Sequence, residues 1–177
     1  TRTTLSPDMG ERQRLDVLLA GRQLAPSRAR ARDAILRGHV EVDGVTASKP
    51  GQMVDETARI ELSDPAMDYV SRAALKLEHA LNYFAADVAG RTALDVGAST
   101  GGFTEVLLRR NVGHVIAIDV GHDQLHPRLR EDRRVTVIEG LNARDLDSRH
   151  LGGREIDLIV CDVSFISMRL ALPPALA

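Results

Sequence analysis

Along the first third of the chain, apolar positions come in short bursts separated by arginine and glycine. Leu15, Val17, Leu18 and Leu19 predict a short amphipathic helix ending at Gly21. Ala29, Ala31, Ala34, Ile35 and Leu36 predict a second helix, opened by Ser27 as N-cap and stopped at Gly38. Val40 to Val45 reads as a strand turned by Asp43-Gly44, and Ala58 to Leu62 alternates polar and apolar like another. Ser63-Asp64-Pro65 breaks this pattern. Beyond it Val70, Ala73, Ala74, Leu77, Ala80, Leu81 and Phe84 recur at the spacing of an amphipathic helix. Apolar runs at 93–96, 115–119, 135–138 and 156–162 then alternate with helical stretches at 103–110 and 123–130. Strands alternating with helices predict a parallel α/β sheet. The expected organisation is a loose polar tail over 1–10, a small α+β module over 11–62, a linker over 63–70 and an α/β domain over 71–177.

The chemistry concentrates in Ala93 to Thr104, a strand, a loop of small residues and the start of a helix. A helix N-terminus at such a turn offers unpaired N–H groups and a positive dipole end. The loop differs from a P-loop, because Phe103 stands where that motif needs lysine, and from a dinucleotide fingerprint, because Ser99 replaces its second glycine. The pattern that fits is the S-adenosylmethionine (SAM) site of Rossmann-like methyltransferases, with one acid ending the first strand and a second ending the next. Asp95 and Asp119 hold those places, Asp119 lying 22 residues beyond Gly97. Gly97, Asp119, Asn142 and Asp162 all fall at or just past predicted strand ends, where ligands sit in open parallel sheets.

Composition narrows the classes. A hydrophobic fraction of 44% with 27% charged residues suits an ordinary globular protein. The single cysteine, Cys161, cannot form an internal disulfide, which fits a reducing, cytoplasmic compartment. No apolar run approaches the roughly 18 residues of a membrane span, and the polar opening of the sequence leads us to expect no signal peptide. The net charge of −2 requires any nucleic-acid contact to be local. Such a patch exists between Arg22 and Val40, with arginines at 22, 28, 30, 32 and 37 against Asp33 alone. His122 and His126 have metal-ligand spacing, but Pro127 interrupts the helix and no third ligand follows at a matching interval.

Two sets of residues carry a family resemblance. Arg14-Leu15-Asp16, Ser27-Arg28-Ala29-Arg30-Ala31 and Gly38-His39-Val40-Glu41-Val42-Asp43-Gly44 resemble the S4-type RNA-binding domain over about residues 12–60. Ser71-Arg72-Ala73-Ala74-Leu75-Lys76-Leu77, Asp95 to Thr104, Asn142-Ala143-Arg144 and Asp162-Val163-Ser164-Phe165-Ile166-Ser167 extend the likeness. With them the chain resembles the TlyA (hemolysin A) family, ribosomal RNA 2′-O-methyltransferases that join an S4-type domain to an FtsJ-like catalytic domain. The resemblance implies a Rossmann-like class I sheet, SAM as cofactor, and cytidine 2′-O-methylation of 16S and/or 23S ribosomal RNA.

By motif match Lys76 and Asp162 take two of the family's Lys-Asp-Lys-Glu catalytic places, with Lys76 as a base made effective by burial. The expected cofactor residues are Asp95, Gly97, Ala98, Ser99, Thr100, Gly101, Gly102, Phe103, Asp119, Asn142, Ala143 and Asp162. The expected RNA contacts are Arg14, Arg28, Arg30, Arg32, Arg37 and Arg72. The family's second lysine and its glutamate belong to later strands. Only four sheet strands can be read before Ala177, so the sequence is expected to be an incomplete form of the domain. The alternatives are a non-enzymatic RNA-binding protein with a vestigial loop, separable by SAM titration, and a hemolysin or cytotoxin, which the chain offers no spanning segment to support.

Overall fold

The computed structural model describes residues 11–164 and 167–176, so the expected tail over 1–10 and Phe165-Ile166 lie outside the described residues. The chain divides into two compact units, Thr1–Met67 and Asp68–Ala177.

In the first unit a short strand β1 (Arg12–Arg14) leads into α1 (Leu15–Gly21), followed by α2 (Arg28–Leu36). Ser27 caps α2 as its sequence suggests, its hydroxyl accepting from the Arg30 amide at 3.3 Å. β2 (Val40–Val42) and β3 (Val45–Thr46) form the Asp-Gly hairpin, Asp43 and Gly44 both having positive φ. β4 (Met53–Asp55) pairs antiparallel with β1, and β5 (Ile60–Leu62) with β2. The β1–β4 pair carries no hydrophobic alternation and is not anticipated from the sequence. Leu15, Leu19, Ala31, Ala34, Ile35 and Val40 are fully buried and close the core between the helices and the β2 hairpin.

The second unit opens with α3 (Ala73–Tyr83), then β6 (Thr92–Val96) and α4 (Gly102–Arg109). β7 (His114–Asp119), α5 (Pro127–Arg130), β8 (Val135–Glu139), β9 (Leu158–Cys161), α6 (Met168–Ala171) and α7 (Pro173–Leu176) complete it. The four strands run parallel in the order β8-β7-β6-β9. Apolar clusters cover both faces, one around Ala93, Val106, Leu107 and Val115, the other around Leu94, Val96, Ile116 and Ile118. The chain leaves β6 toward β7 and returns on the other side of β6 as β9. That reversal opens a crevice at the carboxyl ends of β6 and β9.

The expected helix over 123–130 is shorter in the structure. Only Pro127–Arg130 is helical, with Pro127 in its first turn. Residues 121–126 form a loop instead, because Asp123 takes a left-handed φ of 53° and the amides of 123, 124 and 125 turn to the Glu139 carboxylate.

Candidate functional site

The loop after β6 is shaped first by its glycines. Gly97 has φ 81°, and a Cβ there would stand 2.8 Å from Val163 Cγ1 and 3.2 Å from the Asp162 carbonyl oxygen. At Gly101, φ 97°, a Cβ would meet the side chains of Leu125 and Leu129. Sequence reasoning assigns these glycines to ligand approach. The structure has them admit neighbouring parts of the protein, bringing the segments after β9 and around α5 against the loop.

A cleft of about 440 Å³ results at the strand ends. Of the expected cofactor residues, Gly97, Ser99, Asp119, Asn142, Ala143 and Asp162 line it, together with Gln124, Leu141 and Ser164. Asp119 Oδ2 accepts from the Ser99 amide at 2.7 Å and Oδ1 from the Gly121 amide at 2.8 Å. Each oxygen keeps a lone pair for a further donor. Ser99 has a left-handed φ of 47°, and its hydroxyl meets Gln124 Oε1 at 3.1 Å across the cleft mouth. Asn142 caps the turn Ala143–Asp145, its side chain accepting from the Arg144 amide at 3.1 Å. A polar rim over an apolar floor of Val96, Ile118 and Leu141 suits a nucleoside, whose base is flat and whose sugar carries hydroxyls.

A second cavity of about 200 Å³ adjoins the first. Ala98, Thr100, Gly102 and Phe103 line it with Ser71 and Ala73, and Gly97, Ser99, Asp162 and Ser164 are common to both. Lys76 Nζ donates to Oδ1 and to Oδ2 of Asp162, 2.8 Å each. The two residues are 86 positions apart in sequence. The burial supposed for Lys76 is absent: 65% of its side chain is exposed, against 32% for Asp162. Glu105, almost fully buried, accepts from the Val70 amide at 2.6 Å, from Arg109 at 2.8 Å and from Arg128, and so fixes the chain just ahead of Ser71 and α3.

Two expected cofactor residues face elsewhere. Gly101 lies under the loop, its amide bonded to the Ala98 carbonyl at 2.8 Å. Asp95 is 1% exposed and sits beneath the loop, outside the cleft. Its Oδ2 accepts from Thr104 Oγ1 at 2.7 Å, and Oδ1 has no partner among the described residues. Burial pushes this carboxyl up to about 7 against the Thr104 bonds, with Asp119 and Asp162 adding repulsion. Gln124 and Leu141 are not in the sequence-derived set. Their positions just past the ends of β7 and β8 are the only sequence signal for them.

In the first unit the arginine face is largely occupied by its own fold. Arg14 and Arg28 both pair with Asp16, whose side chain is 2% exposed, at 3.0 and 3.2 Å. Arg37 pairs with buried Asp64, and Arg30 donates to the Ala66 carbonyl. The Arg32 side chain is exposed, with no hydrogen bond or ion pair to another described residue. Arg72, the N-cap of α3, belongs to the second unit. Among the described residues no helix is long and apolar enough to cross a membrane, and no group of three or more His, Cys, Asp or Glu is placed to hold a metal ion.

The model of the FtsJ-like methyltransferase family matches residues 69–177, and that of the S4 domain residues 13–60. The chain is 51% identical over 166 residues to the 16S/23S rRNA (cytidine-2′-O)-methyltransferase TlyA of Mycobacterium tuberculosis, covering 93% of this chain and 62% of that protein. It is 42% identical to Hemolysin A of Brachyspira hyodysenteriae, covering 90% and 66%. Among solved structures, a candidate hemolysin from Streptococcus thermophilus superposes with a TM-score of 0.64 at 38% identity, over 94% of this chain and 61% of that one. The chain thus spans about three fifths of the length of the Mycobacterium and Streptococcus relatives.

Proposed function

We propose, because this chain belongs to the FtsJ-like methyltransferase family, that it is part of a SAM-dependent ribosomal RNA 2′-O-methyltransferase. When bound, SAM would supply an electrophilic methyl group on its sulfonium. Asp119, Asn142, Ala143 and the Gly97–Ser99 backbone would hold the nucleoside end in the larger cleft, and the adjoining cavity would take the ribose that is methylated. The fit rests on the donor set: a strand-end carboxylate with lone pairs left for hydroxyls, beside an apolar floor wide enough for a base.

The Lys76–Asp162 pair carries the reading, because Asp162 lines both cavities and Lys76 donates to each of its oxygens. A ribose hydroxyl is a weak nucleophile until it is aligned and its proton is shared. Asp162 would accept that hydroxyl's hydrogen bond and then its proton, with the Lys76 ammonium holding the carboxylate in place, as the ribose oxygen takes the methyl group and the sulfonium sulfur leaves as a neutral thioether. Alignment alone can supply roughly 7–11 kcal/mol, and a positioned base roughly a further hundred- to ten-thousand-fold in rate.

The S4 domain supports an RNA substrate, and the activity for which the Mycobacterium relative is named supports cytidine in ribosomal RNA. Arg32 and Arg72, with Arg14 and Arg28, whose side chains stay about half exposed beside Asp16, are the guanidiniums we assign to RNA phosphates, and such a substrate would place the protein's work in the cytoplasm. The test has two arms. Calorimetry should show this chain binding SAM, and mapping of ribosomal RNA should show 2′-O-methyl cytidines that disappear when the gene is deleted. Failure of SAM to bind would leave only an RNA-binding module.

A further inference from the structure

Glu139 ends β8 directly beside Asp119 in the sheet register, yet it does not line the cleft. Its Oε2 accepts from the Asp123 amide at 3.0 Å. Its Oε1 accepts from the amides of Gln124 and Leu125, at 3.1 and 3.4 Å, and from Arg130 at 2.7 Å. Three consecutive backbone N–H groups therefore converge on one carboxylate, which holds Asp123 at a left-handed φ that a non-glycine residue adopts at a cost. The loop so fixed does two things for the site. Gln124 closes one wall of the cleft and reaches Ser99 Oγ, while buried Leu125 fills the space that Gly101 leaves beneath the glycine loop.

We infer that Glu139 is a positioning residue for the SAM cleft, setting the wall that carries Gln124 without touching the ligand. The inference rests on the cofactor reading given above. An amide in place of the carboxylate would keep one accepting oxygen and turn an NH₂ toward backbone donors, so at least one of the three N–H bonds is lost. Arg130 would lose its anionic partner at the same time.

The variants to make in this chain are Glu139→Gln, Glu139→Asp and Gln124→Ala, with SAM itself as the calorimetric probe. Glu139→Gln is expected to weaken SAM at least about tenfold, which corresponds to about 1.4 kcal/mol. Glu139→Asp, which keeps the charge on a shorter arm, should recover part of that loss. The double variant with Gln124→Ala should bind no worse than the poorer single variant, because both changes act on one wall. A general loss of stability would instead give additive effects. Amide exchange without ligand supplies an independent readout: 123–125 should exchange faster in Glu139→Gln while β6 and β7 stay protected.

Unchanged SAM affinity in Glu139→Gln or fully additive effects would overturn the inference, as would unaltered exchange at 123–125. If Glu139→Gln fails to fold, Glu139→Asp decides by the same affinity and exchange criteria. If the parent chain does not bind SAM, the cofactor reading falls, and the exchange arm still decides whether Glu139 holds the wall.

Discussion

Asp95 offers the sharpest test of the site's electrostatics, because a buried acid leaves a signature in the pH dependence of stability. Its carboxyl sits near 7 in the folded protein, chiefly through burial, whereas an unperturbed aspartate titrates at 3.8. Between those values the folded state keeps a proton that the unfolded chain has released. The stabilisation is therefore complete below about 3.8, falls as pH rises through the window, and is gone above about 7. One unit of displacement is worth about 1.4 kcal/mol, so the full window amounts to about 4 kcal/mol.

Asp95→Asn preserves shape and the acceptor for Thr104 Oγ1 but cannot titrate. Urea unfolding of both proteins between pH 4 and 8 would isolate the effect, because every other group titrates alike in the two and cancels in the difference. The variant is expected to gain on the parent steadily as pH rises, by about 4 kcal/mol across the window and with no further gain above pH 7.5. Parallel stability curves would refute the argument and would mean that Asp95 is ionised and solvated in the folded state.

Three further outcomes follow from the same geometry. If the proposed activity holds, Lys76→Ala should lower methyl transfer to ribosomal RNA by at least about a hundredfold. Its SAM affinity by calorimetry should stay within about threefold, since Lys76 lies outside the larger cleft. Arg32→Ala should weaken RNA binding and reduce the slope of log K against log salt by about 1. Arg37→Ala should instead lower stability to urea by about 2 kcal/mol, because it strips buried Asp64 of its ion-pair partner. Gly97→Ala should cost about 2–3 kcal/mol in unfolding free energy, from a positive φ and contact with Val163, and should displace the Asp162 segment enough to weaken SAM binding.

The parallel sheet and its order of elements are legible because the information is local. Four apolar runs of strand length alternate with helical periods, and each run ends at a polar residue. Gly97, Asp119, Asn142 and Asp162 are legible for the same reason, as the punctuation of those strands. The direction in which Asp95 points is not. In β6 both faces are covered, so four successive residues from Ala93 to Val96 are all buried and no alternation says which face the acid takes. The arginines mislead in a different way. Counting charge between Arg22 and Val40 leaves out Asp16 and Asp64, which the fold brings to Arg28 and Arg37 from 12 and 27 residues away. The loop over 121–126 carries a helix-like pattern whose hydrogen bonds are claimed by Glu139, a long-range competitor that no local window includes.

That competition explains how so small a unit holds a shaped cleft. The carboxylates at the ends of β7 and β8, with the one just past β9, already have protein donors: Asp119 the amides of Ser99 and Gly121, Glu139 those of 123–125, Asp162 the Lys76 amine. A parallel strand's end is rigid, since neighbours pair it on one or both sides, and a carboxylate there extends that rigidity to a loop with no regular structure of its own. The ordering entropy of these loops is met during folding and not during binding. Under the proposed function, a nucleoside arriving at Asp119 would find its acceptor oriented by two backbone bonds, with lone pairs left to receive its hydroxyls. The same logic makes the strand-end acids poor candidates for conservative exchange. An amide at position 119 or 139 would bring NH₂ groups toward backbone N–H donors, so the wall would shift even where the ligand itself could tolerate the change.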